Sequence, residues 1–148
     1  MFTSILVPFD GSPNAEKALE TALELSRACS GDAIKITILT VYRHHSMLEA
    51  SLSMVRPDDP GNLDDIMRAH AKEVAEYAKA IAHKAGRTDV RAFVKSGPAS
   101  RTIVKFAEEH GMDLIVIGSR GMGSVEGYLL GSVSHKVTGI STVPVLVV

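Results

Sequence analysis

Leu114-Ile-Val-Ile-Gly118-Ser-Arg-Gly121 runs an apolar strand straight into a glycine-rich turn, and nine residues later stand Gly131 and Ser132. The spacing is Gly-x2-Gly-x9-Gly-Ser. Four apolar residues bounded by a turn read as a buried strand. The residues after Gly131 read as a helix, from Ser132 to about Gly139. A buried strand, small residues and a helix start are how α/β proteins build a cradle for phosphate. The first N–H groups of a helix have no partner within it, and the helix dipole adds partial positive charge there.

Outward from this stretch, strands and helices alternate. Ile5-Leu-Val-Pro8 is a short apolar strand, and Asp10-Gly-Ser-Pro13 turns it into a helix. Ser12 suits the cap of that helix and Pro13 its first position. Apolar residues continue through Ala15, Ala18, Leu19, Ala22, Leu23 and Leu25, and the helix ends near Ser30-Gly31. Ala33 to Tyr42 alternates and is β-branched, which reads as a second strand. Leu63 to Ala85 has a helical period, Val90 to Val94 is a third strand, and Ser100 to His110 is a helix after the Gly97-Pro98 break. Val143 to Val148 closes the chain as a fifth strand. The order predicts an α/β fold, a single doubly wound domain over residues 1–148 with a largely parallel five-stranded sheet and helices on both faces. In such sheets ligands bind at the carboxyl ends of the strands, at the switch point of the winding. Both the Asp10-Gly11 turn and the Gly118–Gly121 turn follow strands. If strands one and four are neighbours, the two turns share one crevice.

Bulk properties narrow the function classes. The chain has 148 residues, a net charge of −1 and no block of like charge, unlike a nucleic-acid module with its basic face. Neither a signal segment nor a membrane span is legible, so a cytoplasmic protein is expected. The single cysteine, Cys29, lies in a helical pattern and reads as a small core residue. His44-His45 has no third ligand at a fixed offset, so it reads as loop rather than metal site. The connection from Arg43 to Asn62, which includes Met47, Leu52, Met54 and Val55, is long for a compact domain. It reads as a lid, a partner surface or a segment packed on its own domain.

The familiar nucleotide motifs are absent. There is no G-x-x-x-x-G-K-[ST], and the first strand is followed by Phe9-Asp-Gly-Ser12 rather than G-x-G-x-x-G. In the cradle reading Gly118 and Gly121 bring main-chain N–H groups to phosphate oxygens, and Gly131 permits close approach. The amides of Ser132, Val133 and Ser134 point at the anion, with the Ser132 and Ser134 hydroxyls adding hydrogen bonds. Arg120 is placed to offset charge on the outer phosphates. Asp10 is repulsive to phosphate unless it accepts from ribose hydroxyls or helps hold Mg²⁺, and a helix-capping role stands beside that one. The Val41 main chain is placed for an adenine edge, and the side chains of Pro8, Phe9 and Ile117 for bordering base or sugar. An apolar last strand at a sheet edge is a pairing liability that a dimer would cover.

Several of these stretches together resemble the universal stress protein (UspA-like) family: Ile5-Leu-Val-Pro-Phe-Asp10-Gly-Ser12, Pro98-Ala99, Asp113-Leu-Ile-Val-Ile-Gly-Ser-Arg-Gly121, Leu130-Gly-Ser-Val-Ser134 and Pro144-Val-Leu-Val-Val148. The resemblance covers nearly the whole chain. It implies the sheet order 3-2-1-4-5, and, through the intact Gly118, Gly121, Gly131 and Ser132, the subgroup that binds ATP. It also implies Asp10 near ribose or metal, Val41 near adenine, Ser132 to Ser134 near phosphates, and a homodimer through the last strand, Val143–Val148. Ser96-Gly97-Pro98 departs from the more usual Gly-x-Pro.

Three functions remain open at this point. The first is a nucleotide-responsive regulator of the stress response that binds ATP, acts as a homodimer and meets a further protein partner. The second is a slow ATPase or phosphotransferase, for which Glu126 and His135 flank the loop without forming an obvious water-activating site. The third is an interaction module independent of nucleotide.

Overall fold

The computed structural model describes residues 2–29, 33–43, 60–120 and 131–148. Among them the chain runs β1 (Ser4–Pro8), α1 (Pro13–Cys29), β2 (Lys35–Tyr42), α2 (Pro60–Lys84), β3 (Arg91–Ser96), α3 (Ala99–Glu109), β4 (Leu114–Ile117), α4 (Ser132–Ile140) and β5 (Val145–Val147). All strand pairs are parallel, and the sheet order is β3-β2-β1-β4-β5. The order 3-2-1-4-5 is therefore the one expected, and β1 and β4 are neighbours at the point where the winding reverses.

Period-two alternation decides which layer each strand residue enters. On β1, Ile5 and Val7 pack with Phe9 beneath α1 and α2, while Leu6 faces the opposite layer with α3 and α4. The four β4 residues are all buried. They divide in the same way, with Leu114 and Val116 on the first side and Ile115 and Ile117 on the second. Both faces of the central strands are covered, which is why their sequences are continuous apolar runs. Fully burying one such side chain contributes roughly 1.5–3 kcal/mol, so Leu6→Ala would remove a support of the central strand.

Element ends depart slightly from the sequence pattern. β3 runs on to Ser96 because main-chain pairing with β2 continues to the Tyr42–Ser96 register. Gly97, at φ 139°, then turns the chain while its N–H still bonds the Tyr42 carbonyl at 3.0 Å. β5 is shorter than Val143–Val148, since Ser141 and Val143 close a local turn on each other through the Ser141 hydroxyl. The helical turn expected at Met47–Leu52 lies outside the described residues.

One core assignment is corrected. Cys29 is exposed. At 1.5 Å per residue the 17 residues of α1 reach about 26 Å, whereas five strand residues reach about 17 Å. The last turn of α1 overruns the strand it covers, and Ser26 is its final buried residue.

Candidate functional site

At the carboxyl end of β1, local geometry prepares the entry to α1. Gly11 has φ 84°, a region open to glycine and strained for other residues. Around it Asp10 Oδ1 accepts the Ser12 N–H at 2.9 Å, and Ser12 Oγ accepts the Ala15 N–H at 3.2 Å. Ser12 is thus the cap expected, and Asp10 also has a turn-forming role while its side chain stays exposed. The end of β2 is tied to the same place. Phe9 N–H donates to the Leu39 carbonyl, and Thr40 Oγ1 donates to the Phe9 carbonyl, both at 2.9 Å. Val41, half-buried, follows directly.

The carboxyl end of β4 abuts the first turn of α1. A Cβ at Gly118 would lie 2.7 Å from both the carbonyl carbon and the oxygen of Asn14. The two turns therefore meet, and glycine at 118 is required by packing whatever binds nearby. Beyond it, Ser119 N–H donates to the Val148 carbonyl at 2.7 Å, and Gly131 N–H donates to the Ser119 carbonyl. Ser134 Oγ lies 3.0 Å from the Ser119 carbonyl and 3.1 Å from that of Gly131. Gly131 caps α4 in extended conformation with no side-chain hydrogen bond. The first main-chain bond of α4 is His135 N–H to the Gly131 carbonyl, 3.0 Å. Ser132, Val133 and Ser134 precede it, so their amides are those a helix start leaves for an external acceptor.

The expected residues fall into three groups. Pro8, Asp10, Val41, Gly118, Arg120, Gly131, Ser132, Val133 and Ser134 come from the carboxyl ends of β1, β2 and β4 and from the start of α4. Gly121, Glu126, His44 and His45 lie outside the described residues. Four side chains are placed differently from expectation, the first being Pro8, which is buried at the end of β1. Phe9 is 2% exposed in the core and meets Tyr77 with ring centroids 6.2 Å apart, and Ile117 is 6% exposed in the opposite core. Neither side chain borders an open site, because strand residues next to the turn still follow the alternation that fills the two layers. The Ser134 hydroxyl, 2% exposed, donates within the turn, so its part of a cradle is the main-chain amide. Asn14 and Ser119 were not singled out in the sequence. A glycine ending a strand beside a helix start was the available signal for Asn14, while the double bonding of Ser119 is main-chain geometry and leaves no sequence signal.

Charge at the site is modest. Among the described residues no three His, Cys, Asp or Glu side chains gather to hold a metal ion. Mg²⁺ at Asp10 would need phosphate oxygens and water for most of its coordination, which is its usual habit. The carboxylates held below their ordinary range lie elsewhere. Asp89 is lowered chiefly by its hydrogen bond from Arg87. At Asp113 burial pushes upward, and the Thr3 and Ser4 amides with the Thr3 hydroxyl outweigh it. Both are structural, and Asp113 sits at the amino end of β4, across the sheet from the cradle.

A doubly wound parallel sheet, with an uncapped helix start beside its switch point, defines an α/β domain of Rossmann-like build. The whole chain, residues 1–148, matches the family model for the Universal stress protein family, and the chain belongs to that family. It is 35% identical over 150 residues to universal stress protein YxiE of Bacillus subtilis, covering 100% of this chain and 99% of that one. The solved structure of the hypothetical protein MJ0577 superposes with a TM-score of 0.80 at 28% identity, covering 100% of this chain and 96% of the other. A universal stress protein in complex with cAMP superposes at a TM-score of 0.70 and 28% identity, covering 99% and 96%.

Proposed function

We propose that the chain is an ATP-binding regulatory protein of the cytoplasmic stress response, working as a homodimer through β5. The observation that carries the nucleotide reading is the start of α4. Three successive amides without a capping side chain lie at the carboxyl end of β4, beside the exit of β1. The intact Gly-x2-Gly-x9-Gly-Ser spacing and a relative solved with cAMP support an adenine nucleotide there. The Ser132, Val133 and Ser134 amides would meet phosphate, Asp10 the ribose or an accompanying Mg²⁺, and the Val41 main chain the adenine. Gly121 and Arg120 would complete the cradle from the loop. The homodimer reading is supported by the position of β5, an apolar strand at the sheet edge.

Turnover is expected to be weak at most. Of the two residues that flank the loop, His135 is exposed on α4 and Glu126 lies outside the described residues. Among the described residues no helix is long and apolar enough to cross a membrane.

Ser132→Asp tests the nucleotide reading. A carboxylate at a helix start is favourable to the helix and unfavourable to a bound phosphate. ATP should raise the melting temperature of the wild type, because a ligand that binds only the native state stabilises it. Ser132→Asp should melt at or slightly above the wild-type temperature without ATP and gain little from it. A wild type indifferent to ATP, or a variant that responds in full, would rule the reading out. Native mass spectrometry should also show co-purified adenine nucleotide.

A further inference from the structure

We infer that the main chain of Ser119 joins the open edge of β5 to the start of α4, so that pairing of a second copy along β5 and binding of a nucleotide at α4 strengthen each other. This rests on the function proposed above and adds its regulation.

Ser119 uses its two main-chain groups in opposite directions. Its N–H donates to the Val148 carbonyl at 2.7 Å, just past β5, and its carbonyl accepts the Gly131 N–H and the Ser134 hydroxyl at the α4 start. Val148 N–H returns to the Ile117 carbonyl at 2.9 Å, so residues 117, 119 and 148 form the last rungs of the β4–β5 ladder. The two groups lie in adjacent peptide planes joined at the Ser119 Cα, so this one residue both ends the sheet and orients the first turn of α4. Moving Val148 away from β4 would release the Ser119 N–H and, with it, the carbonyl that holds Gly131 and Ser134.

The edge of β5 is fit to be paired. Ile115 N–H donates to the Pro144 carbonyl and Val148 N–H to that of Ile117, which leaves Val145 and Val147 to turn their N–H and C=O groups away from β4, toward a side where no described strand pairs with β5. Exposed apolar side chains occur on β5 and on the helix that contacts it: Leu146 is 39% exposed on β5, and Val133 is 36% and Ile140 50% exposed on α4. The other edge strand, β3, carries Arg91 and Lys95, charges of a kind that discourage pairing with a like strand. A second copy set antiparallel on β5 by a two-fold axis meets its own apolar edge. Pairing would stop fraying at residues 145–148 and hold Ser119 in place. An anion on the α4 amides would hold the same unit from the other side. Two ligands that favour one arrangement of a shared element bind cooperatively and reciprocally.

The wild-type protein decides the matter. ATP affinity should be measured by titration calorimetry below and above the dimer dissociation concentration, and dimer dissociation by sedimentation with and without ATP. Each site of the dimer should bind ATP about fivefold or more tightly than the monomer, and saturating ATP should tighten the dimer by the square of that factor, because two sites fill per dimer. Ser119→Pro, which removes the N–H donor, should bring that factor close to one, and Ser134→Ala should reduce it by loosening the carbonyl's hold on α4. If Ser119→Pro does not fold, the wild-type factor and Ser134→Ala still decide. ATP binding and dimerisation with a factor of one in the wild type would overturn the coupling alone. Failure to bind ATP, or a monomer at every concentration, would overturn the underlying function and the coupling with it.

Discussion

Gly118 faces the main chain of Asn14 so closely that a methyl group there would stand 2.7 Å from the Asn14 carbonyl. The neighbour is backbone in the first turn of α1, and it cannot rotate away as a side chain can. Gly118→Ala should therefore push α1 from β4 and cost about 1–3 kcal/mol, the usual range for overpacking. Chemical denaturation checks this. Because the same two turns wall the proposed nucleotide site, ATP-dependent stabilisation should fall as well. Full wild-type stability in Gly118→Ala would mean that α1 shifts at no cost.

Arg87 is 3% exposed and fastens three elements. Its Nη1 donates to Ser26 Oγ of α1 at 2.9 Å, its Nη2 to the Ile34 carbonyl ahead of β2 at 2.8 Å, and its Nε to Asp89 Oδ1 at 2.8 Å. A lysine keeps the charge but cannot reproduce this fork. Arg87→Lys should lose about 1.5–3 kcal/mol, the scale of hydrogen bonds to charged groups, seen as a lower urea midpoint at unchanged slope. Arg87→Met, which fills volume without burying an unpaired charge, should cost no more than the lysine does.

Much of this architecture was legible because apolar runs and glycine punctuation report on burial directly. Ile5–Pro8 and Leu114–Ile117 read as buried strands, and both are central. The proximity of the β1 and β4 turns followed from winding rules once those strands were placed. What stayed hidden was the destination of individual groups. Phe9 and Ile117 looked available to a ligand because they border turns, yet alternation carries both into the core. Ser134 looked like a phosphate ligand because hydroxyls at helix starts often are, yet its hydroxyl closes on Ser119 and Gly131. Pattern predicts which element a residue joins, and the direction of a hydroxyl depends on a carbonyl 15 residues away that no local period encodes.

The exposure of Cys29 has a chemical consequence. A thiol in the core resists alkylation until the protein unfolds, whereas an exposed one reacts in the native state. Native protein should take up one equivalent of a thiol reagent such as iodoacetamide without denaturant. Its far-UV circular dichroism should not change, since Cys29 is the last residue of α1 and lies beyond its buried face. Reaction only in urea would return Cys29 to the core.

Asp113 clasps the start of β1 to the start of β4. Its Oδ2 accepts the Thr3 N–H at 2.8 Å and the Thr3 hydroxyl at 2.9 Å, and its Oδ1 accepts the Ser4 N–H at 3.0 Å. Burial alone would raise its pKa, and these donors prevail and lower it. The sign of the linkage follows. A carboxyl group lowered on folding stabilises the protein at all pH above its unfolded value, near 3.9, and that stabilisation drains away as pH falls toward the folded value. Asp89 acts in the same direction through Arg87, so Asp113 supplies only part of the acid sensitivity. Asp113→Asn keeps one carbonyl acceptor but loses the charge and the second acceptor. It should be less stable than wild type at pH 7, and the difference should narrow as the pH is lowered from 4.5 to 2.5. Urea midpoints of the two proteins across that interval test this. A difference constant with pH would show that the clasp does not depend on the ionised carboxylate.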